Sequence, residues 1–123
     1  MKDSNELAHA LRNFTGTETW WRHNLSRNMT YTDGVKFFAE NANNGAYWFL
    51  DIVATEIFPL QRNEEFINIM LYVKDSKAVI EADDGDRGSG RVVLFRREID
   101  YTDCPEGEWR FWLTNNVMLL PSE

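Results

Sequence analysis

The segment that decides the fold runs from residue 31 to residue 58 and reads YTDGVKFFAENANNGAYWFLDIVATEIF. Its second half, residues 46–58, is apolar on nearly every side, and its clearly polar residues are Asp51, Thr55 and Glu56. A helix that is apolar all round belongs inside a protein, with other elements packed over it. We therefore predict a central buried helix over residues 46–58, which Pro59 ends.

Two further helices are predicted before this one. Leu7, Leu11 and Phe14 recur at the spacing of a single helical stripe, so a first helix is expected near the start of the sequence. Thr32 is a natural N-cap for a second helix, and Asp33 then lies in its positive first turn. The buried face of this second helix is predicted to comprise Val35, Phe38, Ala39 and Ala42. Between the two helices, Thr and Trp residues allow a short strand at 18–23, but the Asn and Ser residues that follow indicate a loop, so residues 17–30 are interpreted as irregular structure.

From Glu64 onward the apolar residues change from helical spacing to alternation, the period of a strand. Alternate residues from Ile67 to Val73 are aliphatic, which is typical of a half-buried strand. Asp75 and Ser76 predict a tight turn into a second strand. After a polar loop over residues 83–90, a third strand and a hairpin with an Asn115-Asn116 turn are expected. The first arm of that hairpin, 108–114, is read as a strand or a short helix.

Helices followed by strands predict a single α+β domain over residues 1–123. Its helical half covers about residues 1–60, and its sheet half covers about residues 64–121. We expect two to three helices packed on one face of a four- to five-stranded antiparallel sheet.

Composition narrows the classes of function. Twenty acidic residues against thirteen basic ones give a formal net charge of −7. This charge argues against nucleic acid and against anionic membranes, because both are bound through clustered Lys and Arg. It favours solubility, and it suits a basic protein partner.

The remaining composition predicts a cytoplasmic protein. Cys104 is alone, so neither an intramolecular disulfide nor a cysteine-based metal site can form. The sequence shows no stretch typical of a signal peptide and no apolar run of about eighteen residues that could span a bilayer. It also lacks a glycine-rich phosphate loop, and we expect no cofactor.

Several fragments resemble a known family, and they keep the same order and spacing. They are FTGTETWWRH (14–23), YTDGVKFFAENA (31–42), GAYWFLDIVA (45–54), EIDYTD (98–103) and VMLLPSE (117–123). These fragments resemble a family of bacterial, phage and plasmid proteins catalogued as domain of unknown function 6876. The family tends to have an aromatic where Cys104 stands and a shorter connection than residues 55–65. The resemblance implies a fold and a mobile-element setting, hence the host cytoplasm if the chain is phage-encoded, and it supplies no activity.

One polar cluster accompanies the predicted buried helix. An ionised Asp51 among apolar neighbours must be paired or hydrogen-bonded, and Arg22 and His23 are the nearest candidates. We favour a structural network that pins the irregular segment to the helix. The alternative is a His-carboxylate pair used in general acid-base chemistry, with His23 and Asp51 as its candidates. No nucleophile in a known motif accompanies them, so we assign no catalytic residue.

The acidic loop contains Asp83, Asp84 and Asp86. Its spacing fails the calcium-loop pattern, because Phe95 stands where that motif requires Glu. We therefore predict no metal site. A solvated loop tip is the first interpretation, and a docking surface for a basic partner is the second. Cross-strand pairing of the arginines at 91, 96 and 97 with Glu81 or Asp83 is also expected.

Two functions remain in view. The first is a small interaction protein that binds and inhibits or modulates a bacterial protein, for which the implied mobile-element setting suggests a component of a defence system. The second is a small-molecule binder or weak hydrolase with a pocket around Arg22, His23 and Asp51. The residues predicted to bind are Trp21, Arg22, Tyr31, Asp33, Asp83, Asp84 and Asp86. The oligomeric state stays open, including a homo-oligomer.

Overall fold

The computed structural model describes residues 4–16, 19–26, 28–42, 45–85 and 92–123. Within them the chain has three α-helices and seven strands, and it is an α+β protein as the sequence predicts. The helices are α1 (Ser4–Leu11), α2 (Asp33–Asn41) and α3 (Tyr47–Ile52). The strands are β1 (Trp20–Arg22), β2 (Thr30–Thr32), β3 (Phe66–Lys74), β4 (Lys77–Asp83), β5 (Val93–Ile99), β6 (Gly107–Thr114) and β7 (Val117–Leu119).

The described strands form one sheet in the order β1-β2-β7-β6-β3-β4-β5. All neighbours are antiparallel except β2 and β7, which run parallel with Tyr31 opposite Met118. The prediction of four to five antiparallel strands is therefore wrong in detail. The additional strands β1 and β2 come from the segment interpreted as irregular. Each has three residues, which is too short for an alternating apolar pattern to reveal it.

The sheet half follows the predicted pattern closely. Ile67, Ile69, Leu71 and Val73 of β3 are buried on one face, as their alternation indicates. The turns after β3 and after β6 consist of Asp75-Ser76 and Asn115-Asn116, and all four residues have positive φ. Successive left-handed residues suit two-residue hairpins, and Asn and Asp tolerate them best. Residues 108–114 are strand, not helix.

Aromatic rings join the helices to this buried face. Phe38 of α2 and Phe49 of α3 lie 5.0 and 5.2 Å from Phe111 of β6, measured between ring centroids. Such tilted and edge-on pairs stabilise a core beyond the area that they bury. The other face of the sheet carries the half-buried pair Phe66 and Trp112, 5.5 Å apart.

Helix α2 begins where the sequence predicts. The hydroxyl oxygen of Thr32 accepts a hydrogen bond from the backbone N–H of Val35, 3.4 Å away. The side chain of Glu123 lies at the same helix end, where it accepts hydrogen bonds from the Thr32 hydroxyl and the backbone N–H of Gly34. A carboxylate there also interacts favourably with the positive end of the helix dipole.

The predicted buried helix 46–58 differs from the observed one. After α3, residues Val53–Ile57 form a π-helical turn and Phe58–Arg62 a 3₁₀ turn, so the helical path continues through Pro59. Pro59 is accommodated because it lies in the first turn of the 3₁₀ segment, where its missing N–H needs no partner. The segment is also not buried all round.

The burial of this helical segment follows a stripe. Phe49, Leu50 and Val53 are buried, whereas Tyr47, Asp51 and Thr55 are exposed. Residues four apart share one face of a helix, so the three exposed residues form a single solvent-facing line. The prediction that Asp51 lies in an apolar interior is therefore wrong, since 52% of its side chain is exposed.

Among the described residues, no helix combines the length and apolar character needed to cross a membrane.

Candidate functional site

Strand β1 lies at one edge of the sheet and carries two chemically different sides. Side chains alternate along a strand, so Trp20 and Arg22 point to one face of the sheet and Trp21 to the other. Trp21 is on the side of α2: its indole Nε1–H donates to Asp33 Oδ1 over 3.0 Å. The ammonium of Lys36 lies 3.9 Å from the centroid of the Trp21 ring. Trp21 is therefore held in a fixed orientation while part of its surface faces solvent.

His23 connects β1 to α3. Its Nδ1 accepts hydrogen bonds from the backbone N–H groups of Leu25 and Ser26, at 3.0 and 3.3 Å. Its Nε2 lies 3.0 Å from Asp51 Oδ1. Because Nδ1 uses its lone pair as an acceptor, Nε2 must carry the proton and donate it to Asp51. The buried imidazole thus ties the loop after β1 to an exposed carboxylate on α3.

This arrangement gives His23 no lone pair for accepting a proton from a substrate. The Nδ1 lone pair is engaged by two backbone donors, and Nε2 is already the donor to Asp51. A general base needs an available nitrogen within reach of the proton that it removes. The geometry therefore matches the structural interpretation of this pair.

Arg22 does not join that pair. It is exposed on the side of β1 that faces away from Trp21, and no hydrogen bond or ion pair connects it to Asp51 in the described residues. The interpretation of Arg22 as a partner of Asp51 is wrong. The reason is strand alternation, because adjacent residues 22 and 23 in extended structure point in opposite directions.

Two tyrosines and two carboxylates complete this region. Burial, followed by the negative charges of Glu40 and Asp51, raises the pKa of Tyr31 above its ordinary value. Burial, then Glu40 and Tyr31, likewise raises the pKa of Tyr47. The ammonium of Lys36, over the Trp21 ring, pairs with Glu40 at 3.8 Å, and Tyr47 lies one turn before Asp51 on α3. We call the exposed set Trp21, Glu40, Tyr47 and Asp51 the aromatic–acidic patch.

Sequence reasoning missed Glu40, Tyr47 and Lys36, although a signal was present. Lys36 and Glu40 are four apart on α2 and form an ion pair at 3.8 Å. Tyr47 and Asp51 are four apart on α3, so they share a face. Placing Asp51 in the interior concealed that the exposed line of α3 runs beside the acidic end of α2.

The acidic residues of the loop after β4 are less exposed than the prediction of a solvated tip implies. Asp83 is only 1% exposed, and its carboxylate accepts hydrogen bonds from Asn68 Nδ2 and the Gly85 backbone N–H. The interpretation of Asp83 as part of a solvated tip is wrong, because its side chain organises the start of the loop. Asp84 is half-buried and accepts from the backbone N–H of Val92. Asp86 lies outside the described residues.

The predicted pairing of strand arginines is confirmed in one case. Arg96 lies opposite Glu81 in the β4–β5 register, with 3.9 Å between Nε and Oε2. Arg97 instead pairs with Glu56 of the π-helical turn at 3.3 Å, because it faces the helical side of the sheet. Arg91 lies outside the described residues.

Neither metal ligation nor a reactive thiol is indicated in the part of the chain that the structure describes. No group of three or more His, Cys, Asp or Glu side chains there is arranged to hold a metal ion. Cys104 is buried, and burial, followed by the charge of Asp103, raises the pKa of its thiol to about 12. A thiol with so high a pKa is a poor nucleophile at neutral pH.

An open groove of about 580 Å³ lies beside the turn between β3 and β4, away from β1 and β2. It is lined by the β3–β4 hairpin and by residues 106–108. None of the residues predicted from the sequence to bind a ligand lines this groove.

A family model covers almost the whole chain. The family of unknown function DUF6876 matches residues 5–123, so the chain belongs to that family. No curated protein and no solved structure shows significant similarity to it.

Proposed function

We propose that this member of the family of unknown function DUF6876 is a protein-interaction module whose aromatic–acidic patch binds a basic segment of a partner protein. The observation that carries this proposal is the exposure of Trp21 and Tyr47 beside the carboxylates of Glu40 and Asp51. Exposed aromatic rings among charges of one sign are typical of recognition surfaces.

The aromatic part of the patch is preorganised. Trp21 is fixed by its hydrogen bond to Asp33 and by Lys36 over its ring, so binding would cost little of its side-chain freedom. Trp20 is 54% exposed, but it points to the other face of the sheet and is not part of this patch. Rigid, amphipathic indoles are among the side chains most enriched at binding hot spots.

The charge of the patch indicates the chemistry of the partner. On the side of β1 that faces the helices, the structure describes three carboxylates, of which Asp33 accepts from Trp21, Asp51 accepts from His23 and Glu40 pairs with the ammonium of Lys36. This local excess of negative charge has the same sign as the net charge of −7. Both favour encounter with a positively charged segment, and lysine or arginine side chains can also stack on the indole faces.

The class of target is inferred from the sequence resemblance and not from the patch. The mobile-element setting implied by the sequence resemblance supports a bacterial protein as the target, and a component of a defence system is the target class that we propose. The alternative, a small-molecule binder or weak hydrolase around Arg22, His23 and Asp51, has less support. Arg22 faces away from the other two, and both nitrogens of His23 are already engaged.

The proposal is tested with a matched pair of charge variants. The double variant Glu40→Gln/Asp51→Asn removes two charges from the patch and keeps an oxygen that can accept from His23. The control Glu64→Gln/Asp75→Asn removes two charges elsewhere on the molecule. Binding of a short Lys-Ala repeat peptide is measured by calorimetry at two salt concentrations, with a Glu-Ala peptide as the reference ligand.

We expect the patch variant to weaken binding of the Lys-Ala peptide by about fivefold or more, since each nearby charge contributes about 0.5–1 kcal/mol. The control variant should change it less than twofold. Equal weakening by both variants would mean that only net charge matters, and the patch would lose its assigned role. The same three proteins, used as baits in bacterial lysate, identify targets that depend on the patch.

A further inference from the structure

Strand β5 is the outer strand of the sheet at the edge opposite β1. Among the described strands it pairs only with β4, so one side of its backbone has no strand neighbour. It is also long for an edge, at seven residues, and Val93 at its start is 46% exposed. Unpaired backbone N–H and C=O groups on a long edge strand are a template for pairing with another chain.

We infer that β5 pairs antiparallel with β5 of a second copy of this chain, about a two-fold axis through Arg97. The two seven-stranded sheets then form one continuous sheet across the dimer. Such an interface is isologous, with the same surface contributed by both copies. The partner at this edge is therefore a second copy of the same chain, because the order of side chains along β5 is complementary to itself.

The position of the axis follows from the two faces of the sheet. A continuous sheet must bring the helical sides of both copies to the same face, so each residue lies opposite one of equal parity. The axis therefore passes through a residue and not between two. With the axis at Arg97, Arg96 of each copy lies opposite Glu98 of the other, and Phe95 lies opposite Ile99.

In this register the interface contains two pairs of opposite charges and two pairs of apolar side chains, because each pair occurs twice by symmetry. Neighbouring registers do not, because an axis at Arg96 or at Glu98 places Arg97 opposite Phe95 or Ile99. Opposite charges and apolar pairs directly across two strands are each favourable, whereas a charge facing an aliphatic side chain gains nothing. The strand is thus complementary to itself in one register.

The two Arg97 side chains meet at the axis, where like charges would otherwise repel. Each guanidinium already lies 3.3 Å from Glu56 Oε2 of its own chain. Two arginines and two glutamates around the axis leave no net charge, so the pairing there is electrostatically acceptable.

The ends of the strand add a second observation. Tyr101, two residues beyond β5, is 73% exposed and is among the most exposed large apolar side chains of the described residues. Val93, at the other end of β5, is also exposed and lies beyond a register shift at Leu94. A second copy along this edge would therefore cover apolar surface near both ends of the strand.

The size of the interface sets the expected strength of the dimer. Two seven-residue strands bury less than the roughly 1,200–2,000 Å² typical of stable complexes. We therefore expect a weak dimer in rapid exchange, which forms progressively as concentration rises and whose apparent mass increases accordingly in sedimentation velocity.

Cysteine cross-linking tests both the partner and the register. A residue on a two-fold axis lies opposite itself, so Arg97→Cys should form a disulfide-linked dimer under mild oxidation. Arg96→Cys and Glu98→Cys should each cross-link poorly alone, and a mixture of the two should cross-link well. The wild-type chain is the control, because its Cys104 is buried.

A charge reversal tests whether the pairing of Arg96 with Glu98 of the other copy stabilises the dimer. Glu98 is exposed, lies opposite Val79 and pairs with Arg96 of its own chain at 3.4 Å. An ion pair this exposed contributes little to stability, so Glu98→Arg should leave the monomer folded, as checked by thermal unfolding. It places Arg opposite Arg96 of the partner copy, and we expect at least a tenfold rise in the dimer dissociation constant. Glu108→Arg, on β6, is the matched control and should leave dimerisation unchanged.

Two results would overturn the inference. One is a monomer at every concentration up to the millimolar range; the other is a dimer that Arg97→Cys fails to cross-link. Neither result bears on the proposed function, because the aromatic–acidic patch lies at the opposite edge of the sheet. Conversely, Glu40→Gln/Asp51→Asn should dimerise as the wild type does, even if peptide binding is lost.

Discussion

The side-chain carboxylate of Glu123 accepts a hydrogen bond from the backbone N–H of Gly34, 3.2 Å away, and so closes the N-terminus of α2. The other oxygen of the same carboxylate accepts from the Thr32 hydroxyl and from the backbone N–H of Leu120. One side chain therefore satisfies donors from the start of α2 and from Leu120, just after β7. It also places negative charge at the positive end of a helix dipole.

Replacing this cap should lower stability measurably. We expect Glu123→Ala to reduce the free energy of unfolding by about 1–2 kcal/mol, because it leaves a helix N–H without its acceptor. Urea unfolding followed by circular dichroism is the measurement. Glu108→Gln, an exposed residue on β6, is the control and should change stability by less than about 0.5 kcal/mol. A similar loss in both variants would argue against the cap.

Gly34 lies in close contact with the ends of the Leu120 and Glu123 side chains. A Cβ at position 34 would collide with Leu120 Cδ1 and lie 2.8 Å from Glu123 Oε1. Alanine is a better helix former by about 1 kcal/mol, yet we expect Gly34→Ala to destabilise the protein by about 1–3 kcal/mol through overpacking. Thermal unfolding measures the effect.

The control for that substitution is Gly16→Ala, where a Cβ meets no heavy atom within 4 Å. If steric conflict is the cause, Leu120→Ala should partly relieve it, so the double variant should lose less than the sum of the single losses. Strict additivity would contradict the steric explanation.

His23 and Asp51 should differ in their importance for folding. His23→Ala removes the acceptor for two backbone N–H groups and a buried ring, so we expect a loss of about 2–3 kcal/mol. Asp51→Asn retains an oxygen that can accept from Nε2 at an exposed position, so the loss should stay below about 1 kcal/mol. Comparable losses would contradict the dominance of the backbone contacts. Chemical denaturation of both variants provides the comparison.

Asp83 should be a structural residue of the β4–β5 connection. We expect Asp83→Ala to cost about 1–3 kcal/mol in the free energy of unfolding, since it removes the acceptor for Asn68 and Gly85. Asp100→Ala, an exposed acidic residue after β5, should cost much less. Equal sensitivity of the two variants to urea would show that Asp83 organises nothing.

Alkaline pH should weaken the fold through Cys104. Its thiol pKa is raised from 9.0 to about 12 in the folded chain, so between these values the unfolded chain has lost a proton that the folded chain keeps. Stability therefore falls as pH rises through this window, by up to about 1.4 kcal/mol per pH unit for one proton. The raised pKa values of Tyr31 and Tyr47 act in the same direction.

The measurement is urea unfolding at several pH values from neutral to alkaline. Cys104→Ala should show a shallower decline than the wild type, because it retains only the tyrosine contributions. A thiol reagent provides an independent check: at pH 8 it should react slowly with the native chain and rapidly with the unfolded one. Identical pH profiles for the two proteins would contradict a role of the thiol.

How far the sequence predicts the structure depends on the length of each repeating pattern. Strand β3 extends over nine residues, so its alternation is unambiguous, and Thr32 marks the start of α2 by a local rule. Strands β1 and β2 have three residues each and are defined by pairing; Thr30 of β2 lies opposite Val117 of β7, 87 residues further along the chain. No local pattern carries that information.

The candidate site, like the fold, is predicted only in part. The proximity of His23 and Asp51 follows from an argument about unpaired charge, although Asp51 proves to be exposed and His23 to be the buried partner. Tyr47, Asp51 and Thr55 recur at intervals of four, a spacing that indicates one exposed line along a helix. Counting apolar residues without their angular position made an amphipathic helix look uniformly buried.

The parallel pairing of β2 with β7 has a consequence for biosynthesis. A ribosome releases β2 long before Val117 and Met118, its partners in the sheet, have been made. The hairpin of β3 and β4 can assemble meanwhile from neighbouring residues, whereas β1, β2 and the start of α2 must wait. Since contacts between distant residues form slowly, we expect nascent chains arrested before residue 117 to expose Met29 and Tyr31, which are buried in the folded chain, to chaperones and proteases.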